Sequence, residues 1–244
     1  MSNKPLIIIT GASSGFGAKT AEIFNQKGFP LLLIARRVEK IKQLSLNFEN
    51  ILIENIDVTQ INELNVAIKK AESIYGPADL LVNNAGVMLL GNITEQDESE
   101  WQTMLQTNVI GVLNGMKSVL SNMTKRNQGT IINVSSIAGY KAFVDHAAYA
   151  ASKFGVHGLT ETIRQEVADS NVRVSLVSPG AAETELLTHV TNEKSLSDYN
   201  SWKESMGGLT LDPAKVAETI FFIYNMPQEV TIREISIAAT KQQA

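Results

Sequence analysis

Cysteine is absent from the 244 residues, and histidine occurs only three times. The first absence removes disulfides, thiolate metal ligands and a cysteine nucleophile. The second leaves His146, His157 and His189 without a partner on the same helix turn, so no metal site is expected. Basic clusters are scarce too: none exceeds the Arg36-Arg37 pair, and the formal net charge is −4. That balance argues against nucleic acid and anionic membrane surfaces as partners. No segment reaches the ~20 apolar residues of a membrane span. The early apolar run Leu6 to Ile9 is broken by Thr10 and Gly11 and is too short for a signal peptide. A soluble, cytoplasmic protein is expected.

What the chain does have is a 44% hydrophobic content against 19% charged, enough for a substantial core. Apolar runs of strand length recur at 6–9, 31–35, 51–56, 79–83, 130–135, 172–178 and 232–238. Most are continuous, as strands covered on both faces are. Helix-period stretches lie between them, at about 16–27, 38–47, 60–75, 99–125, 147–169 and 212–225. Strand alternating with helix predicts an α/β fold, a doubly wound parallel seven-stranded sheet of Rossmann type with helices on both faces. With no repeat or linker, one domain over 1–244 is expected. The exception is the polar, poorly periodic stretch from Gly180 to Thr210. A non-repetitive segment of that length reads as a substrate lid, at about 185–208.

The stretch ITGASSGFGA, residues 9–18, admits two chemistries. Gly11, Gly15 and Gly17 suit a turn that brings backbone N–H groups onto a dinucleotide pyrophosphate at a helix start. Gly11-Ala12-Ser13-Ser14-Gly15 also fits the nucleophile elbow of a serine hydrolase. The elbow needs an oxyanion loop before the nucleophile strand, and here that strand is the first in the chain. It also needs an acid and a histidine in the right order, and the histidines are scattered. The phosphate cradle is the better reading. After the second strand, where an acidic residue would bind the ribose 2′-hydroxyl of NAD, stand Arg36 and Arg37. Guanidinium groups pair with a 2′-phosphate instead, so NADP(H) is the expected cofactor.

Three features place chemistry in mid-chain. Tyr149 and Lys153 stand four apart in Tyr149-Ala150-Ala151-Ser152-Lys153, hence on one helix face. A neighbouring ammonium favours the phenolate and draws the tyrosine toward a useful pKa. Ser136, at the end of the fifth strand run, can donate a hydrogen bond to an oxygen gaining negative charge. Asn108 lies on or beside a buried helix stripe, where an amide needs a defined hydrogen-bonding task.

Together these residues resemble the short-chain dehydrogenase/reductase family along essentially the whole chain. The resemblance is carried by TGASSGFG, Asp57-Val58, NNAG, TNVIG, NVSSIAG, YAASK and PGAAET, in the family's order and spacing. It implies an oxidoreductase in which Tyr149 is the acid-base residue and Lys153 holds the nicotinamide ribose and lowers the tyrosine pKa. Ser136 would polarise the carbonyl, and Asn108 would order a water in a proton relay to Lys153. Cofactor contacts are implied at Gly11, Ser13, Ser14, Gly15, Phe16 and Gly17 in the first turn. Arg36 and Arg37 follow, then Asp57 and Val58 beside the adenine, and Asn83, Ala85 and Gly86 on the adenosine side. Pro179, Gly180 and Thr184 complete the set, with Thr184 reaching the nicotinamide amide. Two departures stand out. Ala182 replaces a larger aliphatic, and Ser14 stands where one NADP-type subgroup has a basic residue, so NADP binding rests on Arg36 with Arg37 in support.

The finer similarity is to bacterial NADP-dependent reductases near the 3-hydroxy-acid and serine dehydrogenases. A 3-oxoacyl thioester reductase of fatty-acid synthesis and a non-catalytic NADP-sensing protein are the alternatives. The resemblance also implies a homo-oligomer, tetramer or dimer, built on the helices at 99–125 and 147–169. No arginine lies in the lid. A mobile lid closing over a small carbonyl or alcohol substrate, held mainly by apolar contact, is therefore expected.

Overall fold

The computed structural model describes residues 4–242, so the outermost residues of the expected single domain, 1–3 and 243–244, lie outside the described residues. Seven strands form one sheet in the order β3-β2-β1-β4-β5-β6-β7. They are β1 (Leu6–Thr10), β2 (Leu31–Ala35), β3 (Ile51–Asn55), β4 (Ala78–Asn83), β5 (Gly129–Val134), β6 (Val172–Pro179) and β7 (Glu234–Ile237). Every neighbouring pair is parallel. This is the doubly wound sheet expected from the sequence.

The continuous apolar runs are explained by burial on both faces. Alternate residues Ile8, Leu32, Leu81 and Ile131 join one core with α3 (Ile61–Tyr75), α5 (Gly111–Arg126) and α6 (Ala147–Glu166). Their neighbours Ile7, Leu31, Leu80 and Ile132 join another with α1 (Gly15–Gln26), α2 (Val38–Lys42) and α8 (Pro213–Tyr224). Phe24 anchors the second core, fully buried and edge-on to Phe29, Phe221 and Tyr224 at 5.3–5.5 Å. Truncating it to alanine costs about 3–5 kcal/mol.

The long helix expected at 99–125 is divided. An α-helix, α4 (Glu98–Leu105), passes through one π turn, Gln106–Ile110, into α5. Such turns cluster at functional sites. Asn108 sits in this one.

The stretch from Gly180 to Thr210 is more regular than its composition suggests. A 3-10 turn, Glu185–His189, precedes α7 (Glu193–Ser205). Asn192 caps α7 by accepting from the Ser195 N–H at 2.9 Å. Leu196, Tyr199, Trp202 and Met206 recur at helical spacing among polar residues, a pattern too sparse to register as periodic.

Because the order of strands reverses between β1 and β4, a crevice opens there at their carboxyl ends. Two residues stitch its floor. Thr10 Oγ1 accepts from the N–H groups of Asn84 and Ala85 at 3.0 and 3.1 Å. Asn84 Nδ2 donates back to the carbonyls of Thr10 and Gly11, both at 3.1 Å.

Candidate active site

A cavity of about 480 Å³ follows the carboxyl ends of β1 to β6. Its end on the β2 and β3 side is polar. Gly11 turns there with φ +65°, and a Cβ on it would meet Ala85 Cα at 2.7 Å, so only glycine lets β1 end so close to β4. Ser13, Ser14, Gly15 and Phe16 line the cavity beyond it. Ser14 stands before α1 without capping it, because its Oγ accepts from Arg37 at 3.3 Å. The first N–H groups of α1 thus lack a side-chain cap, as suits a bound anion. Gly17 is not a lining residue. It lies inside α1 against the Gly11 carbonyl and Asn84, where it lets helix and turn approach.

Charge gathers at this end. Arg36 faces Asp57 at 3.8 Å, and Asp57 accepts from the Thr59 N–H at 2.9 Å. Arg37 and Lys40 both reach the carboxylate of Glu185, at 3.1 and 2.6 Å. That pairing holds the Glu185 carboxyl below its ordinary range, Lys40 contributing most. Val58 also lines the cavity, and Gly111 makes room for its side chain.

The other end gathers Ser136, Tyr149 and Lys153 with the rings of Phe143, His146, Tyr199 and Trp202. Tyr149 and Lys153 lie one turn apart on α6, both buried. Lys153 Nζ donates to the Val134 carbonyl at 3.3 Å and sits 5.7 Å from the Tyr149 ring centre. Burial brings the Lys153 ammonium down to about 8. The expected lowering of Tyr149 by Lys153 is not what the environment produces. Burial pushes the phenol well above its usual value, and a hydrogen bond with Ser136 opposes the shift only in part. Desolvation of the buried ring is the largest influence on it, larger than the Ser136 hydrogen bond that opposes it. Ser136 is placed by the turn after β5, where its Oγ also accepts from the Ala138 N–H at 3.1 Å.

Two residues singled out from the sequence point elsewhere. Asn108 is buried and does not line the cavity. Its Oδ1 accepts from the Val87 N–H at 2.8 Å, while Nδ2 donates to the Val87 carbonyl at 2.9 Å and to Ser152 Oγ at 3.0 Å. Ser152 in turn donates to the Tyr149 carbonyl at 2.7 Å. The amide therefore ties the loop after β4 to the Tyr149 turn, and that task occupies its side chain. Asn83 is a correction. It is buried under α5, donating to Asn133 Oδ1 at 2.9 Å, and Gly115 leaves space for it. Its successor Asn84 lies past the end of β4 and lines the cavity with Ala85 and Gly86.

Pro179, Gly180 and Thr184 close the lining, with Thr184 side-chain carbons against the space above Gly15. Thr184 Oγ1 also accepts from the Leu186 N–H at 3.3 Å, starting the 3-10 turn. The sequence reading did not single out Asn84, Glu185, Phe143, Asp145 or His146 as site residues, though all line the cavity. Asp145 carries a signal only visible in three dimensions, a left-handed backbone at φ +61°. It is held there by Ser195 Oγ, which donates to Asp145 Oδ2 at 2.8 Å, and by the Gly91 N–H, which donates to its carbonyl at 3.0 Å.

Residues 5–195 match the family model described as short chain dehydrogenase. An uncharacterized oxidoreductase of Staphylococcus saprophyticus is 34% identical over 241 residues, covering 97% of this chain and 96% of its own. Among solved structures, a closed form of serine dehydrogenase complexed with NADP+ superposes with a TM-score of 0.86 at 28% identity, covering 98% of this chain and 96% of that one. ElxO with NADP bound superposes at 0.83 with 30% identity, over 96% and 97% of the two chains.

Proposed function

The chain belongs to the short-chain dehydrogenase family and is an oxidoreductase; from that premise we propose that it reduces a small aldehyde or ketone with NADPH, or oxidises the corresponding alcohol in reverse. The observation that carries the reading is the convergence of Ser136, Tyr149 and Lys153 at one end of a cavity whose other end holds Arg36 and Arg37. The cavity suits a dinucleotide. Gly15, at φ +54°, leaves open the space that its Cβ would fill against Thr184, and the start of α1 lacks a side-chain cap. Arg36, Arg37 and Ser14 would hold the 2′-phosphate, and the relatives of known structure carry NADP.

In balance, the carbonyl compound, NADPH and one proton become the alcohol and NADP+. Bound cofactor supplies the hydride to the carbonyl carbon. Tyr149, kept protonated at neutral pH by burial, gives its hydroxyl proton to the carbonyl oxygen. Ser136 donates a hydrogen bond to that oxygen as negative charge develops on it. Lys153 would hold the nicotinamide ribose, and Asn108 positions Tyr149 through Ser152. The segment from Glu185 to Gly208 closes over the substrate.

A homo-oligomer belongs to the same reading. Leu105, Ile110, Leu113 and Phe154 are exposed on α4, the π turn, α5 and α6, where a second copy would cover them. The direct test is a panel of aldehydes and ketones, with loss of reduced-nicotinamide absorbance followed for NADPH and NADH side by side. Turnover of at least one carbonyl with NADPH preferred supports the reading. Equal efficiency with both cofactors removes the NADP assignment.

A further inference from the structure

The substrate end of the cavity is built from two segments far apart in sequence. Phe143 and His146 come from the loop before α6, and Tyr199 and Trp202 from α7. Their rings form a closed circuit: Phe143–His146 at 5.6 Å, His146–Tyr199 at 6.2 Å and near parallel, Tyr199–Trp202 at 5.3 Å, Trp202–Phe143 at 6.1 Å. All four line the cavity, and the His146 ring lies 6.2 Å from that of Tyr149. The strained Asp145, gripped by Ser195, holds the two segments in register.

The charges on this wall have one sign. Among the described residues lining the cavity the cations are Arg36, Arg37 and Lys153. The arginines stand at the end of β2, and Lys153 is buried beneath Tyr149. Asp145 and Asp198 are the carboxylates beside the aromatic rings. His146 adds no positive charge at neutral pH, since burial lowers its pKa. A substrate carboxylate brought against these rings would lose water and face two carboxylates, and the one cation at this end, Lys153, is buried and donates to the Val134 carbonyl. A flat conjugated group would find ring faces and edges to pack against.

We propose that the substrate is an uncharged aryl aldehyde or ketone, seated against the Phe143, His146, Tyr199 and Trp202 wall, and that carboxylate-bearing carbonyl compounds are excluded. The inference rests on the reductase reading above and narrows it. It also separates this chain from a serine or 3-hydroxy-acid dehydrogenase, whose substrates carry a carboxylate.

The test compares acetophenone, cyclohexyl methyl ketone and 4-acetylbenzoate as substrates of the NADPH-loaded protein. Acetophenone should exceed the saturated ketone in kcat/KM by about 5-fold. It should exceed 4-acetylbenzoate by at least ~100-fold. Trp202→Leu and, separately, Tyr199→Leu should raise KM for acetophenone toward that of the saturated ketone. Asp198→Asn should narrow the ratio between acetophenone and 4-acetylbenzoate. Comparable reduction of the saturated ketone, or efficient reduction of 4-acetylbenzoate, overturns the inference and leaves the reductase reading standing. Calorimetric titration of acetophenone onto the NADPH-loaded Tyr149→Phe protein separates the opposite failure. Binding there without turnover of any carbonyl by the unmodified protein would refute the reductase reading and keep the wall as an aryl site.

Discussion

The two ends of the cleft are made from opposite materials. At the β2 and β3 end, Arg36, Arg37, Lys40, Asp57 and Glu185 form half-exposed pairs across 2.6 to 3.8 Å. At the other end, Tyr149 and Lys153 are buried, the tyrosine within an apolar cluster. Charges in water are weak and adaptable, so the first end can trade one anion for another with little loss. Charges out of water are costly, so the second end controls protonation closely. Affinity is expected to reside in one half and reactivity in the other.

The sharpest way to break that division is Tyr149→Phe. It removes the transferable proton and keeps the ring, so turnover should fall by at least ~100-fold. NADPH affinity, measured by fluorescence titration, should hold. A variant that turned over normally would end the assignment of Tyr149 as the acid.

Arg36→Ala attacks the other half. Loss of a charge-assisted phosphate contact should raise the Michaelis constant for NADPH by about 10-fold or more, with little change for NADH. The rate at saturation should stay close to normal. A fall in that rate with unchanged KM would place Arg36 in the chemistry and dissolve the contrast.

A pH series probes burial directly. Burial brings Lys153 down to about 8 in the fold from 10.5 for a free lysine, so between those values the unfolded chain binds the extra proton. Stability therefore rises with pH across that window relative to Lys153→Met, by roughly 3 kcal/mol at most. Below pH 8 both states are protonated and the difference levels off, with the charged ammonium at its full burial cost. Denaturant unfolding of both proteins at pH 7 and pH 10 measures it, and parallel curves would show that Lys153 is solvated.

The smallest effect should come from Glu185→Gln, which releases Arg37 and Lys40. Half-exposed pairs are worth only about 0.2–1 kcal/mol, so adenosine 2′,5′-bisphosphate should bind about 2- to 5-fold tighter. AMP, without the 2′-phosphate, should gain nothing. Weaker binding of the bisphosphate would mean that Glu185 supports the anion site and does not compete for it.

How much of this contrast could be read from the letters depends on sequence distance. The glycine turn, the Arg36-Arg37 pair and the spacing from Tyr149 to Lys153 are local patterns, and all three fall at the cavity. Asn83 and Asn84 differ by one residue, so choosing between them required knowing where β4 ends. The aromatic wall joins Phe143 and His146 to Tyr199 and Trp202 across some fifty residues, a pairing no periodicity carries. Proximity of a cation to Tyr149 was legible. The larger effect, desolvation by everything packed around it, was a property of the finished fold.

Thr184 and Glu185 are adjacent, and both touch the rim of the cleft where Arg37 meets the turn before α1. Thr184 packs over Gly15, and Glu185 reaches Arg37 and Lys40 at its rim. From there the chain continues through the 3-10 turn into α7, which carries half of the aromatic wall. The rim of the cleft and its aromatic wall therefore share one stretch of backbone, and displacing Thr184 and Glu185 would disturb both at once.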